Sequence, residues 1–110
     1  MESRFDIVFL EQAIDFMAKV DRKARVKIYY NLDKAKFGLD PKLFKKITED
    51  IWEFRTNYKG LQYRLFAFWD RSEKTETLVI STQGIVKKTD KVAKKEIEKA
   101  KHIRAEYFKI

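Results

Sequence analysis

The stretch Ile51–Lys88, IWEFRTNYKGLQYRLFAFWDRSEKTETLVISTQGIVKK, decides the architecture. Aromatic and β-branched residues crowd three runs, Ile51 to Tyr58, Leu61 to Trp69 and Thr77 to Lys88. Runs of this kind bounded by turn residues read as strands. NYKG, ending at Gly60, marks a tight turn between the first two, and DRSEKTE is a polar loop before the third. Gly84 inside the third run suggests a bulge or a close approach. Side chains alternate across a strand. Trp52 and Phe54 therefore share one face of the first strand, and Glu53 and Arg55 the other. On the second strand Tyr63, Leu65, Ala67 and Trp69 oppose Gln62, Arg64, Phe66 and Phe68. Short connections predict an antiparallel meander.

Outward from this stretch the period changes. Phe5, Ile7 and Phe9 alternate with Asp6 and Val8, which predicts a short N-terminal strand. From Glu11, Ala13, Phe16 or Met17, and Val20 recur at helical spacing. Asp21 is placed to cap a second helix that aligns Ile28, Leu32 and Ala35, with Gly38 to stop it. Asp40-Pro41 resembles a cap followed by proline at the first helical position, so Leu43, Phe44 and Ile47 are expected on a short helix. Asp90 is placed to cap a last helix from about Lys91 to Phe108, whose outer face is lysine-rich and whose Tyr107 suits a helix anchor. The expectation is one α+β domain over residues 1–110 in the order β-α-α-β-β-β-α. Helices cover one face of a small antiparallel sheet, and the other face stays partly open.

Composition narrows the function. The 110 residues are 45% hydrophobic, enough for one core. No run approaches the ~20 apolar residues that span a bilayer, and MESRFDIVFLEQAIDF lacks the pattern of a signal peptide. A soluble, cytoplasmic protein without a membrane partner is expected. There is no cysteine, and the lone histidine, His102, is expected on a charged helix surface. Neither a metal site nor a cofactor is expected. The formal net charge is +8. Lys87 to Ile110 carries +5 of it, from eight lysines and one arginine against four acids. Such asymmetry points to a polyanionic partner.

A row of fixed charges stands within strands that are otherwise apolar. Arg55 and Arg64 lie on successive strands, Lys87 and Lys88 close the third, and Lys91 follows. Cross-strand neighbours come within roughly 5–8 Å. Tyr58 and Lys59 sit in the turn, where an aromatic ring can stack on an unpaired base. Arginine grips phosphate in two-pronged fashion and lysine adds point charge. The structural alternative for a strand arginine is an ion pair with Glu53 or Asp70. No GxSxG, HExxH, phosphate-loop or dinucleotide pattern is present. Glu49, Asp50 and Glu53 come closest to a carboxylate cluster, with Glu49-Asp50 expected at a helix end. RNA cleavage suits such a basic site, because the 2′-hydroxyl is the nucleophile. A desolvated lysine beside other cations has a lowered pKa and can act as base.

Three segments, DIWEFR, YRLFAFWD and GIVKKTDKVAKKEIEKAKHIRAEY, together resemble the RelE superfamily of bacterial toxins, in its phage-derived HigB-like branch. That branch carries an acidic-Arg strand, a Tyr-Arg opening the next strand, and GFxKKTxKxPxxEIxxAxxR. Order and spacing match from about Trp52 to Tyr107. Ile85 stands in place of the usual Phe, Ala93 in place of the usual Pro, and no histidine lies near the last strand.

The resemblance implies a toxin of a type II toxin-antitoxin system. Its activity is that of a ribosome-dependent mRNA interferase, a metal-independent endoribonuclease that cuts mRNA in the A site. Its partners are the translating ribosome with its mRNA and a cognate antitoxin with a helix-turn-helix. Carried over by position, Arg64, Lys87 and Lys88 are the expected catalytic residues. Arg55, Tyr58, Lys59 and Lys91 are expected to bind RNA. The alternatives are a toxin of the same fold aimed at gyrase and a catalytically silent, basic RNA-binding protein.

Overall fold

The computed structural model describes residues 5–38, 40, 42–74, 76–80, 85–87 and 94–109, with backbone alone for 85–87. Its elements are β1 (Asp6–Phe9), α1 (Glu11–Lys19), α2 (Arg22–Ala35), β2 (Phe44–Lys46), β3 (Trp52–Tyr58), β4 (Leu61–Asp70), β5 (Thr77–Ile80), β6 (Ile85–Lys87) and α3 (Lys94–Tyr107). The α+β class, the N-terminal helices and the C-terminal helix are as expected. The sheet runs β1-β5-β4-β3-β2, and β6 pairs with β4.

The ten-residue β4 is the centre. It holds β3 on one side and β5 and β6 on the other, all antiparallel. A strand covered on both faces needs a nearly continuous apolar run, and Tyr63 through Phe68 are all buried. Arg64 is the one charged residue in that run. The β3–β4 hairpin closes through Lys59 and Gly60, between partners Tyr58 and Leu61. Both turn residues have positive φ, 50° and 78°. This is the backbone that a two-residue type I′ hairpin requires.

Alternation sorts the rest into two cores. Phe54, Leu65, Ala67, Leu78 and Ile80 meet Ala13, Met17, Ala24, Ile28 and Leu32 of α1 and α2. Asp21 caps α2 as expected, its Oδ2 accepting from the N–H groups of Lys23 and Ala24 at 3.2 Å. A buried hydrogen bond from Asn31 Nδ2 to Thr56 Oγ1, 3.1 Å, ties α2 to β3. On the opposite face Ile51, Phe66, Phe68 and Val79 gather around Ala100 of α3, with Leu10 and Tyr107 at the margin.

Four expectations change. The segment after Asp40 makes one turn, with the N–H groups of Leu43 and Phe44 both donating to Asp40 O, and then extends as β2 instead of a helix. Its pairing with β3 buries Phe44 against Trp52, ring centroids 4.8 Å apart, and leaves Lys45 and Lys46 exposed on the sheet edge. Tertiary burial of one aromatic outweighs the local helix signal. Glu49 and Asp50 accordingly lie in the bend between β2 and β3, not at a helix end. The sheet is mixed, since β1 runs parallel to β5. The third run carries β5 and β6, both antiparallel to β4, and residues 81–84 between them lie outside the described residues. Finally, α3 covers part of the face expected to be open. Pro41, Gly84, Lys88, Asp90 and Lys91 lie outside the described residues.

A Cβ added at Gly60 would meet nothing within 4 Å but would be held at φ 78°. Left-handed backbone costs an L-residue about 1–2 kcal/mol. Gly60→Val is expected to lower stability by that amount, read as a shifted urea midpoint with an unchanged slope.

Candidate functional site

Arg55 of β3 and Arg64 of β4 are direct register partners. Two guanidiniums at neighbouring positions repel unless an anion lies between them. Glu53 provides it. It precedes Arg55 by two residues on the same strand, so it shares that face. Its Oε2 accepts from Arg64 Nη1 at 2.8 Å, and its Oε1 stands 3.1 Å from Arg55 Nε. Arg64 Nη2 also donates to Gln62 Oε1. The side chains of Glu53 and Arg64 are each 1% exposed, while Arg55 is 25% exposed. Arg55 is thus the arginine of the pair that reaches solvent. Among the described residues, Glu53 is thus shared by two guanidiniums.

The third strand joins this row through its backbone, since Lys87 pairs in register with Gln62 and Ile85 with Arg64. Lys59 sits at the turn with its Nζ 5.5 Å from the Tyr58 ring centroid. Tyr58 belongs to the other face. It follows the parity of Trp52 and Phe54 and packs against the helical core. The fold therefore brings Arg55, Arg64 and the Lys87 backbone together and places the Tyr58 ring apart from them. Lys88 and Lys91 are not among the described residues.

In the sequence Glu53 is legible as a possible partner of a strand arginine and as part of a loose carboxylate cluster, and Gln62 only as a neighbour of Arg64 on the same strand face. The signal for Glu53 is an acid two residues before an arginine on a half-covered strand. The orienting role of Gln62, two residues before Arg64, follows the same parity. Among the described residues no three His, Cys, Asp or Glu side chains converge as a metal site would need. No described helix is long and apolar enough to cross a membrane. His102 is exposed on α3.

Tyr107 anchors α3, as expected. Its hydroxyl donates to Asp70 Oδ2 at 2.6 Å, and its ring packs on Phe68 with centroids 5.2 Å apart. Arg104 Nη2 lies 3.6 Å from Asp50 Oδ1. Hydrogen bonds from Ser72 and Tyr107 hold the Asp70 carboxyl below its ordinary 3.8. The hydrogen bond to Asp70, with partial burial, pushes Tyr107 above its ordinary 10.0.

The family model described as phage derived protein Gp49-like (DUF891) matches residues 15–105. The match takes in Glu53, Arg55, Gln62, Arg64, Lys87 and most of α3. It begins within α1, so β1 lies before it. None of the curated proteins matches the chain.

Removing one partner of a buried ion pair strands the other charge and costs about 3–5 kcal/mol. Glu53→Ala is expected to lose that much in urea unfolding, and the double variant Glu53→Leu with Arg64→Met to recover most of it. For α3, the signs follow from the two titrations. The lowered Asp70 contributes fully above 3.8 and fades as pH falls through its folded value. The raised Tyr107 contributes fully below 10.0 and fades as pH rises through its folded value. Near-ultraviolet circular dichroism is expected to show α3 loosening at both extremes. In Tyr107→Phe the alkaline arm disappears and the acid arm shrinks.

Proposed function

The chain belongs to the phage-derived Gp49-like family, within the RelE/HigB toxin superfamily, and from that premise we propose that it is a ribosome-dependent mRNA endoribonuclease. The observation that carries this reading is the pair Arg55 and Arg64, opposed across a hairpin and locked by one buried carboxylate, with the Lys87 strand alongside. Guanidinium groups fixed at a sheet surface suit a phosphate whose charge grows during reaction. Preorganised charge of this kind needs no rearrangement when the transition state forms.

The chemistry uses the RNA itself. The 2′-oxygen attacks the adjacent phosphorus, and the bond from phosphorus to the 5′-oxygen breaks. The products are a 2′,3′-cyclic phosphate and a 5′-hydroxyl, with one proton taken from the 2′-oxygen and one given to the leaving oxygen. In this proposal Lys87 and Lys88 handle charge and proton transfer. Arg55 grips the phosphate, and Lys59 and Lys91 hold the flanking backbone. Arg64, buried under the row, is a positioning residue: it fixes Glu53, which aims Arg55, and its charge adds to the local potential. Tyr58 acts from the end of β3, on the side away from the arginines. The protein works in the cytoplasm, where ribosomes translate. A toxin of this superfamily has a cognate antitoxin, proposed here to be a helix-turn-helix protein.

The test maps 5′ ends of an mRNA after addition of the protein, with and without translating ribosomes. Cuts at A-site codons are expected only with ribosomes. They are expected to fall at least about tenfold in Arg55→Ala, the scale of losing one charge-stabilising contact. The double variant Glu53→Leu with Arg64→Met, shown folded, is expected to be equally impaired. Undiminished cutting in both variants would remove the cluster from the mechanism. An absence of cuts by the folded parent chain would sink the nuclease reading.

A further inference from the structure

Exposed apolar surface is concentrated on the layer away from the arginines. Among the described residues, Ile14, Val26, Tyr29, Tyr30 and Phe37 stand exposed on α1, α2 and the turn that follows, while Val8, exposed on β1, belongs to the opposite face with its partner Val79. The other exposed large apolar side chain is Phe108, at the far end of α3.

β1 is the outermost strand on this side. The Asp6 N–H donates to Glu76 O at 3.0 Å and the Leu10 N–H to Ile80 O at 2.9 Å. Peptide groups alternate along a strand, so those of Asp6 and Val8 face β5 and those of Ile7 and Phe9 face outward. Natural edges are usually blunted by lysine or proline. β2, the opposite edge, carries Lys45 and Lys46, whereas β1 reads Asp-Ile-Val-Phe. Beside β1 lie two cavities of about 390 and 330 Å³, which share Phe9 and Tyr29 as walls. Arg25 borders the first, and Lys36 with Asp33 borders the second. The groove thus follows α2, with a cation at each end. The eleven steps from Arg25 to Lys36 span roughly 16 Å at helical rise, the length of about five strand residues.

We propose that the β1 edge accepts an extended segment of a partner protein as an added strand, with apolar side chains over Phe9 and Tyr29 and acidic residues near Arg25 and Lys36. Main-chain bonds to Ile7 and Phe9 give affinity, and the two cavities select alternate side chains. Charge selects the occupant. Across Arg22–Ala35 five basic residues face one acid, a surplus of +4. A second copy docking edge to edge would bring two such helices together, whereas an acidic segment meets complementary charge. If the toxin reading holds, this partner is the antitoxin, and identifying it so rests on that reading. The edge and groove do not.

The test uses the full, isotopically labelled chain and two synthetic peptides, Asp-Glu-Val-Thr-Val-Glu-Asp and its counterpart with lysine at every acidic position. Residue-resolved hydrogen exchange and a binding isotherm are measured. The acidic peptide is expected to bind and to slow exchange at the Ile7 and Phe9 amides while leaving Val8 unchanged. Tyr29→Ala is expected to weaken it about tenfold, the loss typical of an aromatic anchor. Unchanged exchange at Ile7 and Phe9 under saturating acidic peptide would overturn the proposal. So would equal binding of the basic peptide, which would mark an unselective apolar surface. Slowing that grows with protein concentration alone would name a second copy as occupant and equally overturn it. mRNA cleavage by Tyr29→Ala is expected to match the parent. A parent that cuts nothing counts against the nuclease reading and leaves the exchange result standing.

Discussion

One carboxylate makes the hairpin possible. β3 and β4 place two arginines at directly opposed positions of a sheet interior. At an effective dielectric constant near 20, like charges a few Å apart repel by several kcal/mol. Glu53 sits on the same face and gives one oxygen to each guanidinium. Glu53 is the shared member: its removal takes an ion-pair partner from both arginines, whereas loss of one arginine leaves it paired with the other. Apolar residues at the same positions would hold the sheet as well or better. A buried charged set is thus weak evidence for stability.

The two faces of the sheet have divided tasks. One carries α1 and α2 and most of the apolar core. The other carries the charged set near the hairpin end and α3 over Phe66 and Phe68. β4 serves both, so its sequence satisfies two cores and an ion pair within ten residues. The rigidity this confers on Arg55 comes from three sources: the type I′ turn that fixes the register, the buried Asn31–Thr56 bond behind β3, and the Glu53 carboxylate in front.

Much of this was legible because the relevant signals are local. Alternation along Ile51 to Tyr58 and Leu61 to Trp69 assigned both faces of the hairpin, and NYKG marked its turn. Asp21 announced α2, and Tyr107 announced an anchor. Other features depend on distant partners. Asp40 does accept from Leu43 and Phe44 in a turn, but Phe44 is drawn into the aromatic cluster with Trp52 and Phe54, and the chain extends. Nothing in Asp6–Phe9 encodes the direction of β5. Parity placed Arg64 on the right face, but its depth depends on what covers that face. Tyr58 was grouped with the arginines by nearness in sequence, and the same parity rule applied one residue at a time separates them.

The parallel pairing of β1 with β5 has a consequence for how the chain comes into being. Asp6 meets Thr77, so the pairing closes a loop of about 70 residues. Contacts of such high sequence separation form late and slow folding. On a ribosome extending at about 5–20 residues per second, β1 emerges roughly 4–14 s before β5. Through that interval the helices have no finished sheet to cover, and β4, the strand that carries Arg64, lacks a neighbour on one side. The arginine set can therefore mature only after most of the chain has left the exit tunnel. Each molecule thus stays incomplete while the ribosome that makes it is still building its middle strands.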